Sequence, residues 1–149
     1  MKEITCMFIG HRSCCDLDPV RLSEAIDFMI KSNKVKTFLN GGMGAFDRMS
    51  AFRVNQIRRE RGVHSELIIP YRSFRICDPG WFDEIVLPEE SENAHYRRAI
   101  ILRNEYMIRR SRYAICYVDT KNSILTSGAL RVYQKAREAG LIIVNLFND

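Results

Sequence analysis

Apolar residues follow two different periods along the chain, and the two periods alternate. Residues 4–9 are apolar at nearly every position and end at Gly10, a pattern typical of a strand buried on both faces of a sheet. Asp18 and Pro19 then supply a helix N-cap and a first helical residue. Helical spacing follows in the apolar residues Leu22, Ala25, Ile26, Met29 and Ile30.

The alternation continues through the rest of the chain. Residues 71–93 have the weakest pattern, with a turn at Pro79-Gly80, and form either a lid or a long connection. Gly62 and Gly140 are placed as C-caps after predicted helices. The pattern predicts strands at 35–39, 64–69, 85–87, 113–118 and 141–146, and helices at 46–61, 96–110 and 127–139.

Strands that alternate with helices and are apolar almost throughout predict a mostly parallel sheet covered by helices on both faces. We therefore expect a single α/β domain over residues 1–149, built as a three-layer sandwich. In such folds a ligand lies beyond the carboxyl ends of the strands, where the chain order reverses. This rule places four segments at the edge of one crevice: residues 10–12, 41–47, 70–71 and 119–128.

The composition fits that architecture, since 46% of the residues are apolar and 28% are charged, as in ordinary globular domains. No apolar run approaches the roughly 20 residues that cross a membrane, and the first residues show no signal-peptide pattern. We expect a cytoplasmic protein with no membrane partner. Homo-oligomers form if the helix at 96–112 carries more apolar surface than one sheet face covers, which the sequence alone does not decide.

The five cysteines are an odd number without Cys-x-x-Cys spacing. Cys6 and Cys116 lie inside apolar strand patterns and are expected in the core. Cys14 and Cys15 are adjacent in a loop, and neighbouring residues rarely chelate one ion. We therefore predict no metal site and no cofactor.

The net charge of +5 owes much to arginines at 58–61 and 97–112. These arginines form either a solvated basic face or a surface that attracts nucleotides or nucleic acid. The sequence lacks surface aromatics interleaved with them in the way that favours nucleic acid, so nucleic acid is the less favoured partner.

The segment Leu39-Asn40-Gly41-Gly42-Met43-Gly44-Ala45-Phe46-Asp47 joins a predicted strand to a predicted helix. Glycines allow a tight turn and a close approach to the backbone amides, and the helix directs its positive dipole end to the same place. We therefore expect Gly41, Gly42, Met43 and Gly44 to hold a phosphate. A tight turn without a ligand is the alternative.

Known phosphate-binding motifs do not match this segment. It lacks the Gly-Lys-Ser/Thr ending of a Walker A loop, and Asp47 replaces the last glycine of the dinucleotide fingerprint, so an ordinary NAD site is not expected. Asp47 either complements the helix dipole or accepts a hydrogen bond from a ribose hydroxyl or an amine.

Two further groups of residues reach the same predicted edge. Gly10, His11 and Arg12 follow the first strand, where arginine can bind phosphate and histidine can donate a hydrogen bond or stack. Arg103 and Asn104 interrupt a predicted inward stripe, and they either brace the helix against a loop or reach the crevice. The apolar members of that stripe are Ile100, Ile101, Met107 and Ile108.

The polar loop from Asp119 to Gly128 completes the candidate site. Thr126, Ser127 and Gly128 can cap the following helix, and they can also offer hydroxyls and amides to a second phosphate or a sugar. Asp119 ends the preceding strand at the same edge.

These motifs, in this order and spacing, resemble the YpsA-like branch of the SLOG superfamily, a domain of unknown function found in many Gram-positive bacteria and their phages. The resemblance extends from Ile4 to Leu146 and rests on Phe-Ile-Gly-His-Arg, the glycine segment, Arg-Asn-Glu-Tyr-Met-Ile-x-x-Ser and Ala-Ile-Cys-Tyr-Val-Asp. It implies a Rossmann-like fold and a protein that binds, senses or processes nucleotides or nucleotide-derived ligands. On this basis Ser111 also matches a family motif position.

Three functions follow from the resemblance and the residues. The leading one is a nucleotide-binding protein, and the second is a nucleoside 5′-monophosphate phosphoribohydrolase. Related phosphoribohydrolases carry Pro-Gly-Gly-x-Gly-Thr-x-x-Glu in the last loop, where this chain has Leu125-Thr126-Ser127-Gly128-Ala129 and no glutamate, so Asp47 or Asp119 would have to replace it. The third is single-stranded nucleic-acid binding, as in DNA-processing relatives.

Overall fold

The computed structural model describes residues 4–13, 16–121 and 128–147. Its strands are β1 (Thr5–Gly10), β2 (Thr37–Asn40), β3 (His64–Ile68), β4 (Glu84–Val86), β5 (Tyr113–Tyr117) and β6 (Ile142–Asn145). Its α-helices are α1 (Pro19–Lys31), α2 (Ala45–Arg61), α3 (Tyr96–Arg110) and α4 (Gly128–Glu138). Each predicted strand and helix is therefore confirmed, with ends that differ by no more than one or two residues.

All six strands run parallel in one sheet, in the order β4-β3-β2-β1-β5-β6. Cys6 in the central strand β1 lies opposite Phe38 of β2 and Tyr113 of β5. The chain builds outward from β1 to β4 and then returns to the other side of β1 with β5. The strand order therefore reverses between β1 and β5, where folds of this kind form a crevice.

Helices cover both faces of the sheet, as the apolar strands predict. Side chains of a strand alternate between faces, so Cys6 and Phe8 point towards α1 and α2 while Met7 and Ile9 point towards α3 and α4. Phe8 stacks on Phe38, with ring centroids 5.7 Å apart. The predicted three-layer α/β/α sandwich is thus confirmed.

Local sequence sets the helix ends. Asp18 Oδ1 accepts a hydrogen bond from the Val20 amide at 2.9 Å, and Pro19 occupies the first turn, as predicted. Gly62 ends α2 in the left-handed conformation, with φ of 65°, and its amide donates to Arg58 O.

The connection between β3 and β4 contains a 3-10 helix, Pro79–Trp81, at the predicted turn. It is tied to the sheet through Asp83, which accepts the Ser65 amide at 2.8 Å and pairs with Arg58 at 2.9 Å. A second 3-10 helix, Glu89–Ser91, precedes α3. Residues 71–93 therefore form a long connection that adds β4 to the edge of the sheet.

Two predictions about the core have different outcomes. Cys6 and Cys116 are fully buried, as expected, whereas Cys14-Cys15 lies outside the described residues. Ile101, predicted to face inward, is 38% exposed. The buried stripe of α3 instead runs through positions four residues apart, which turns Ile101 outward; this stripe is Ala99, Arg103 and Met107.

Among the helices described, none combines the length and apolarity needed to span a bilayer.

Candidate functional site

A crevice of about 410 Å³ opens beyond the carboxyl end of β1, between α3 and the start of α4. It adjoins the point where the strand order reverses. Asp119 is not on its wall, and Thr126 and Ser127 lie outside the described residues. The predicted site residues that line it are Gly10, His11, Arg12, Gly41, Met43, Asp47, Arg103, Asn104 and Gly128.

Glycine is required sterically where the strand ends meet α2. A Cβ on Gly10 would lie 2.3 Å from the Phe46 ring, and one on Gly44 would lie 2.5 Å from Arg12 Cα. Gly44 also has φ of 93°, which L-residues rarely adopt. The glycine loop, residues 41–44, therefore packs directly against the segment that carries Arg12.

Three amides around the glycine loop already have acceptors within the protein. The Gly42 amide donates to Asn40 Oδ1 at 2.8 Å, the Met43 amide to Asp47 Oδ2 at 2.9 Å, and the Ala45 amide to Arg12 O at 2.7 Å. In the part of the chain that the structure describes, the amides of Gly44, Phe46 and Asp47 have no partner. The amides without an acceptor among these residues are therefore those at the start of α2, of which Asp47 lines the crevice.

Asn40 holds this loop and was not among the predicted site residues. Its Nδ2 donates to Asp47 O at 2.8 Å, while its Oδ1 accepts the Gly42 amide. A polar residue closing an otherwise apolar strand directly before the glycines was the available signal, because a buried amide needs such partners.

Arg103 is a buried clamp between α3 and the strand ends. It is 2% exposed, and its Nη1 donates to Gly41 O at 2.9 Å and to Ile68 O at 2.7 Å. Its Nε donates to Asn104 Oδ1 at 2.8 Å, and its Nη2 contacts the Met43 sulfur at 3.2 Å. The guanidinium thus fixes the ends of β2 and β3 and also lines the crevice.

Asp47 lies close to Arg103 at the start of α2 and is 8% exposed. Burial raises the pKa of its carboxyl to about 6, although the Met43 amide and the charge of Arg103 act in the opposite direction. Burial likewise lowers the pKa of Arg103 to about 10, against the favourable charge of Asp47. Near neutral pH the crevice therefore has a charged pair on its wall.

Arg12 and Asn104 are the groups most open to a ligand. Arg12 is exposed, and within the described ranges its guanidinium has no acidic partner. Asn104 accepts the Arg103 hydrogen bond through its oxygen, which leaves its amide nitrogen as a donor towards the crevice. Together they offer a cation and a neutral donor on the same cavity.

His11 connects the ends of β1 and β5. Its Nε2 accepts the Asp119 amide at 2.8 Å, so its proton is on Nδ1 when the ring is neutral. The ring also packs edge-on against Tyr117 and Phe147, with centroids 6.4 and 6.3 Å away. The hydrogen bond and this packing fix His11 at the end of β1, where its ring lines the crevice.

A second cavity, of about 260 Å³, lies on the other side of the glycine loop. We call it the aromatic groove; Gly42, Gly44 and Asp47 border it, and its far wall comes from residues 74–82. Sequence reasoning missed it, because this segment has no regular apolar period that would assign a direction to its side chains. The side chains on that far wall are Phe74, Arg75, Ile76, Cys77, Asp78, Trp81 and Phe82.

The tertiary structure also brings aromatic residues and arginines together at the surface. Tyr96 is 52% exposed and stands 6.5 Å from the Tyr71 ring, and Arg97 lies over the Tyr96 ring at 6.0 Å. Arg48 lies over Trp81 at 5.3 Å. Tyr71 and Tyr96 are distant in sequence, and so are Arg48 and Trp81, which is why the sequence alone did not show these groups.

One group of side chains has the donor types of a metal site. Donor atoms of His64, Glu66 and Glu84 lie within 4.8 Å of one another, near the amino ends of β3 and β4. Arg110, however, binds Glu66 through two hydrogen bonds of 2.6 and 2.9 Å. A cation in this position opposes a second one, so the group is better explained as an ion-pair network.

The chain matches no protein-family model and no curated protein sequence. Among solved structures it is similar to DNA processing protein A (DprA) from Streptococcus pneumoniae, with 13% identity, a TM-score of 0.62, and coverage of 95% of this chain and 49% of that one. It is also similar to DprA from Helicobacter pylori, a structure reported for its single-stranded DNA binding mode. Here the identity is 14%, the TM-score 0.56, and the coverage 91% of this chain and 63% of that one.

A third structure, the structural-genomics target TM1055, is 16% identical with a TM-score of 0.48, over 78% of this chain and 61% of its own. The chain thus spans between 49% and 63% of the length of these proteins. Together with the all-parallel sheet and its strand order, the two DprA structures define the fold of this chain as Rossmann-like α/β.

Proposed function

We propose that this protein binds a nucleotide or a nucleotide-derived small molecule in the crevice beyond β1. The observation that carries the proposal is that an exposed arginine without an acidic partner among the described residues, Arg12, and a buried charged pair, Arg103 with Asp47, meet on one 410 Å³ cavity. That size lies within the roughly 300–1,000 Å³ typical of small-molecule sites. The cavity also adjoins the strand-order reversal, where such folds bind their ligands.

The available groups suggest how the ligand is oriented. Its phosphate would lie against Arg12 and the open amides at the start of α2, where the helix dipole favours an anion. Asp47 would accept a hydrogen bond from a sugar hydroxyl or an amino group, since its carboxylate repels phosphate placed directly against it. Asn104 would donate to a carbonyl or ring nitrogen.

We further propose that the protein is a cytoplasmic member of the YpsA-like branch of the SLOG superfamily. The order of its four motifs supports this assignment, and so does a fold shared with DNA-processing proteins. The branch assignment predicts the same crevice as the ligand site.

Thermal unfolding in the presence of nucleoside mono-, di- and triphosphates tests the proposal. A ligand at about a hundred times its dissociation constant adds roughly 2.7 kcal/mol of stability, which raises the midpoint measurably. Arg12→Ala should remove most of that shift without changing the midpoint of the free protein, because the side chain is exposed and has no acidic partner in the described part of the chain. Arg59→Ala is the matched control. Arg59 is also exposed, but it lies about 20 Å along α2 from the start of that helix, away from the crevice.

Two results would contradict the proposal. A panel that gives no shift with any nucleotide would remove nucleotide binding altogether. A shift that Arg12→Ala and Arg59→Ala leave equally intact would place the ligand outside this crevice.

A second candidate is N-glycosidic hydrolysis of a nucleoside 5′-monophosphate, favoured by the Asp47 carboxylate on the crevice wall. Such a reaction needs a carboxylate beside the sugar to stabilise an oxocarbenium-like transition state while water adds and the base leaves. Release of free base, lost in Asp47→Asn, would support the activity. Base release that survives in Asp47→Asn would exclude this carboxylate from it.

A third candidate is single-stranded DNA binding, favoured by Tyr71, Tyr96 and Arg97 at the surface. Aromatic rings stack on unpaired bases, and arginines contact the backbone. Binding of a labelled single strand should weaken steeply with salt and weaken further in Tyr96→Ala. Arg137→Ala, which removes an exposed arginine on α4, is the control. Salt-independent binding would contradict this candidate.

A further inference from the structure

The crevice and the aromatic groove share one boundary, the glycine loop. Gly41 and Met43 face the crevice, Gly42 and Gly44 face the groove, and Asp47 lines both cavities. The two cavities are therefore neighbours across a single turn of backbone.

The boundary has no side-chain bulk of its own at Gly42 and Gly44, so a ligand can cross it at these two residues. Gly42 and Gly44 are exposed and have no side chains, and their φ angles of 68° and 93° disfavour any residue that would add one. Met43, the one residue between them with a side chain, turns its sulfur towards Arg103 in the crevice. Between Gly42 and Gly44 the boundary is therefore backbone, with the Arg12 side chain beside Gly44 and the Asp47 carboxylate lining both cavities.

The groove has the aromatic and apolar surface on which a planar ring system can stack. Phe74, Trp81 and Phe82 provide aromatic surface, and Leu67 with Ala51 closes the base. Its 260 Å³ is just below the roughly 300 Å³ at which small-molecule sites begin, which suits one ring system better than a whole nucleotide.

The charges around the two cavities are complementary to two anionic groups. Arg12 beside the crevice and Arg75 beside the groove are both exposed, and neither has an acidic partner among residues 4–13, 16–121 and 128–147. Arg48, also on the groove, is neutralised by Asp78 at 3.1 Å, and Arg72 pairs with Glu92. Each cavity is therefore lined by one exposed arginine without an ion-pair partner in those ranges.

We propose that the aromatic groove is a second subsite, and that the ligand class is a 5′,5′-diphosphate-linked dinucleotide that crosses the glycine loop. One nucleoside occupies the crevice, the diphosphate passes Gly42 and Gly44 between Arg12 and Arg75, and the second base stacks in the groove. The inference rests on the proposed nucleotide site and extends it by a second ring.

Trp81 makes the test specific, because it is the single tryptophan of the chain and lies on the groove wall. The probes are the four mononucleotides AMP, GMP, CMP and UMP, and the four diphosphate-linked dinucleotides that carry the same nucleoside twice. For the base that binds, we expect the dinucleotide to bind about tenfold more tightly, as one stacked base allows. It should also quench Trp81 emission, which the mononucleotide should not.

Variants separate the two subsites. Arg75→Ala should reduce the preference for the dinucleotide over the mononucleotide several-fold, and Trp81→Ala should abolish it. Arg72→Ala is the control, since it removes an exposed arginine of the same segment that pairs with Glu92. Arg75 is exposed, so its variant remains informative if Trp81→Ala fails to fold.

The outcomes distinguish this inference from the proposed function. Mononucleotide binding without a tighter dinucleotide or a change in Trp81 emission would overturn the second subsite and leave the crevice as a nucleotide site. The absence of binding by all eight compounds would overturn both.

Discussion

Asp47 illustrates how the surroundings of one residue alter its chemistry. As an acidic residue in the first turn of α2, it is placed to complement the helix dipole. Its oxygen accepts the Met43 amide, but burial raises the pKa of the carboxyl to about 6. The carboxylate thus stabilises the glycine loop by accepting this hydrogen bond, while its burial disfavours the charged form.

This pKa predicts a pH dependence of stability. The folded protein holds the Asp47 proton more tightly than the unfolded chain, whose aspartate pKa is about 3.9, so the stabilising effect is full below about pH 4 and lost as pH rises through 6. Relative to Asp47→Asn, the wild type should lose up to about 3 kcal/mol between pH 4 and 7. Urea denaturation of both proteins across this range measures the difference, and a constant difference would contradict the prediction.

A comparison of Gly44 with Gly62 distinguishes the cost of a steric clash from the cost of backbone strain. Both have positive φ, but a Cβ on Gly44 would meet Arg12 Cα at 2.5 Å, while nothing lies within 4 Å of one on Gly62. We expect Gly62→Ala to cost about 1 kcal/mol of unfolding free energy and Gly44→Ala about 3 kcal/mol or more. Equal losses in urea denaturation would show that the contact with Arg12 relaxes freely.

At the scale of elements, one side chain of α3 joins three parts of the fold. Arg103 extends from the helix to Gly41 O at the end of β2 and to Ile68 O at the end of β3. Carbonyls at strand ends have no partner within the sheet, so the guanidinium satisfies groups that would otherwise be buried alone. The crevice geometry therefore depends on how α3 docks.

Removal of this clamp should be costly. Arg103→Ala leaves two carbonyls and the Asp47 charge without their partner, and we expect a loss of about 3–5 kcal/mol. Arg98→Ala, an exposed position on the same helix, should change stability by less than about 0.5 kcal/mol. Chemical denaturation measures both, and a small loss for Arg103→Ala would mean that water replaces the guanidinium.

The predicted elements show how far local sequence determines this fold. The Asp18-Pro19 start of α1 and the Gly62 end of α2 could be read from the sequence because caps act within a few residues. The exact orientation of α3 could not, since Ile101 was expected on the inward stripe and is exposed, whereas Arg103 lies on that stripe as predicted. A hydrophobic residue can remain exposed at small cost when docking of the helix gives a buried arginine two backbone carbonyls as acceptors.

On the scale of the whole molecule, the parallel sheet concentrates stability at its centre. β1 is paired on both sides, by β2 and β5, and both of its faces are covered by helices. The edge strands β4 and β6 are short and paired on one side only, and Ile142 of β6 is 52% exposed. The fold should therefore open from its edges.

Hydrogen exchange tests this distribution. Amides of β1 and β5 should exchange only through global unfolding, while those of β4 and β6 should exchange through local opening at lower free energy. Mass-spectrometric exchange on peptides that cover each strand measures the order. Protection of β6 equal to that of β1 would indicate that another surface covers this edge.

By itself the sequence determined the α/β class, the elements, both covered faces of the sheet and the edge at which the candidate site lies. These features depend on periodicity and on local capping, which neighbouring residues encode. The tertiary structure alone decided which loop amides are already occupied, the shifted pKa of Asp47, the clamp by Arg103 and the aromatic groove beside Trp81. Each of these depends on residues far apart in the chain, and burial and hydrogen bonding act through space, so no local pattern could reveal them.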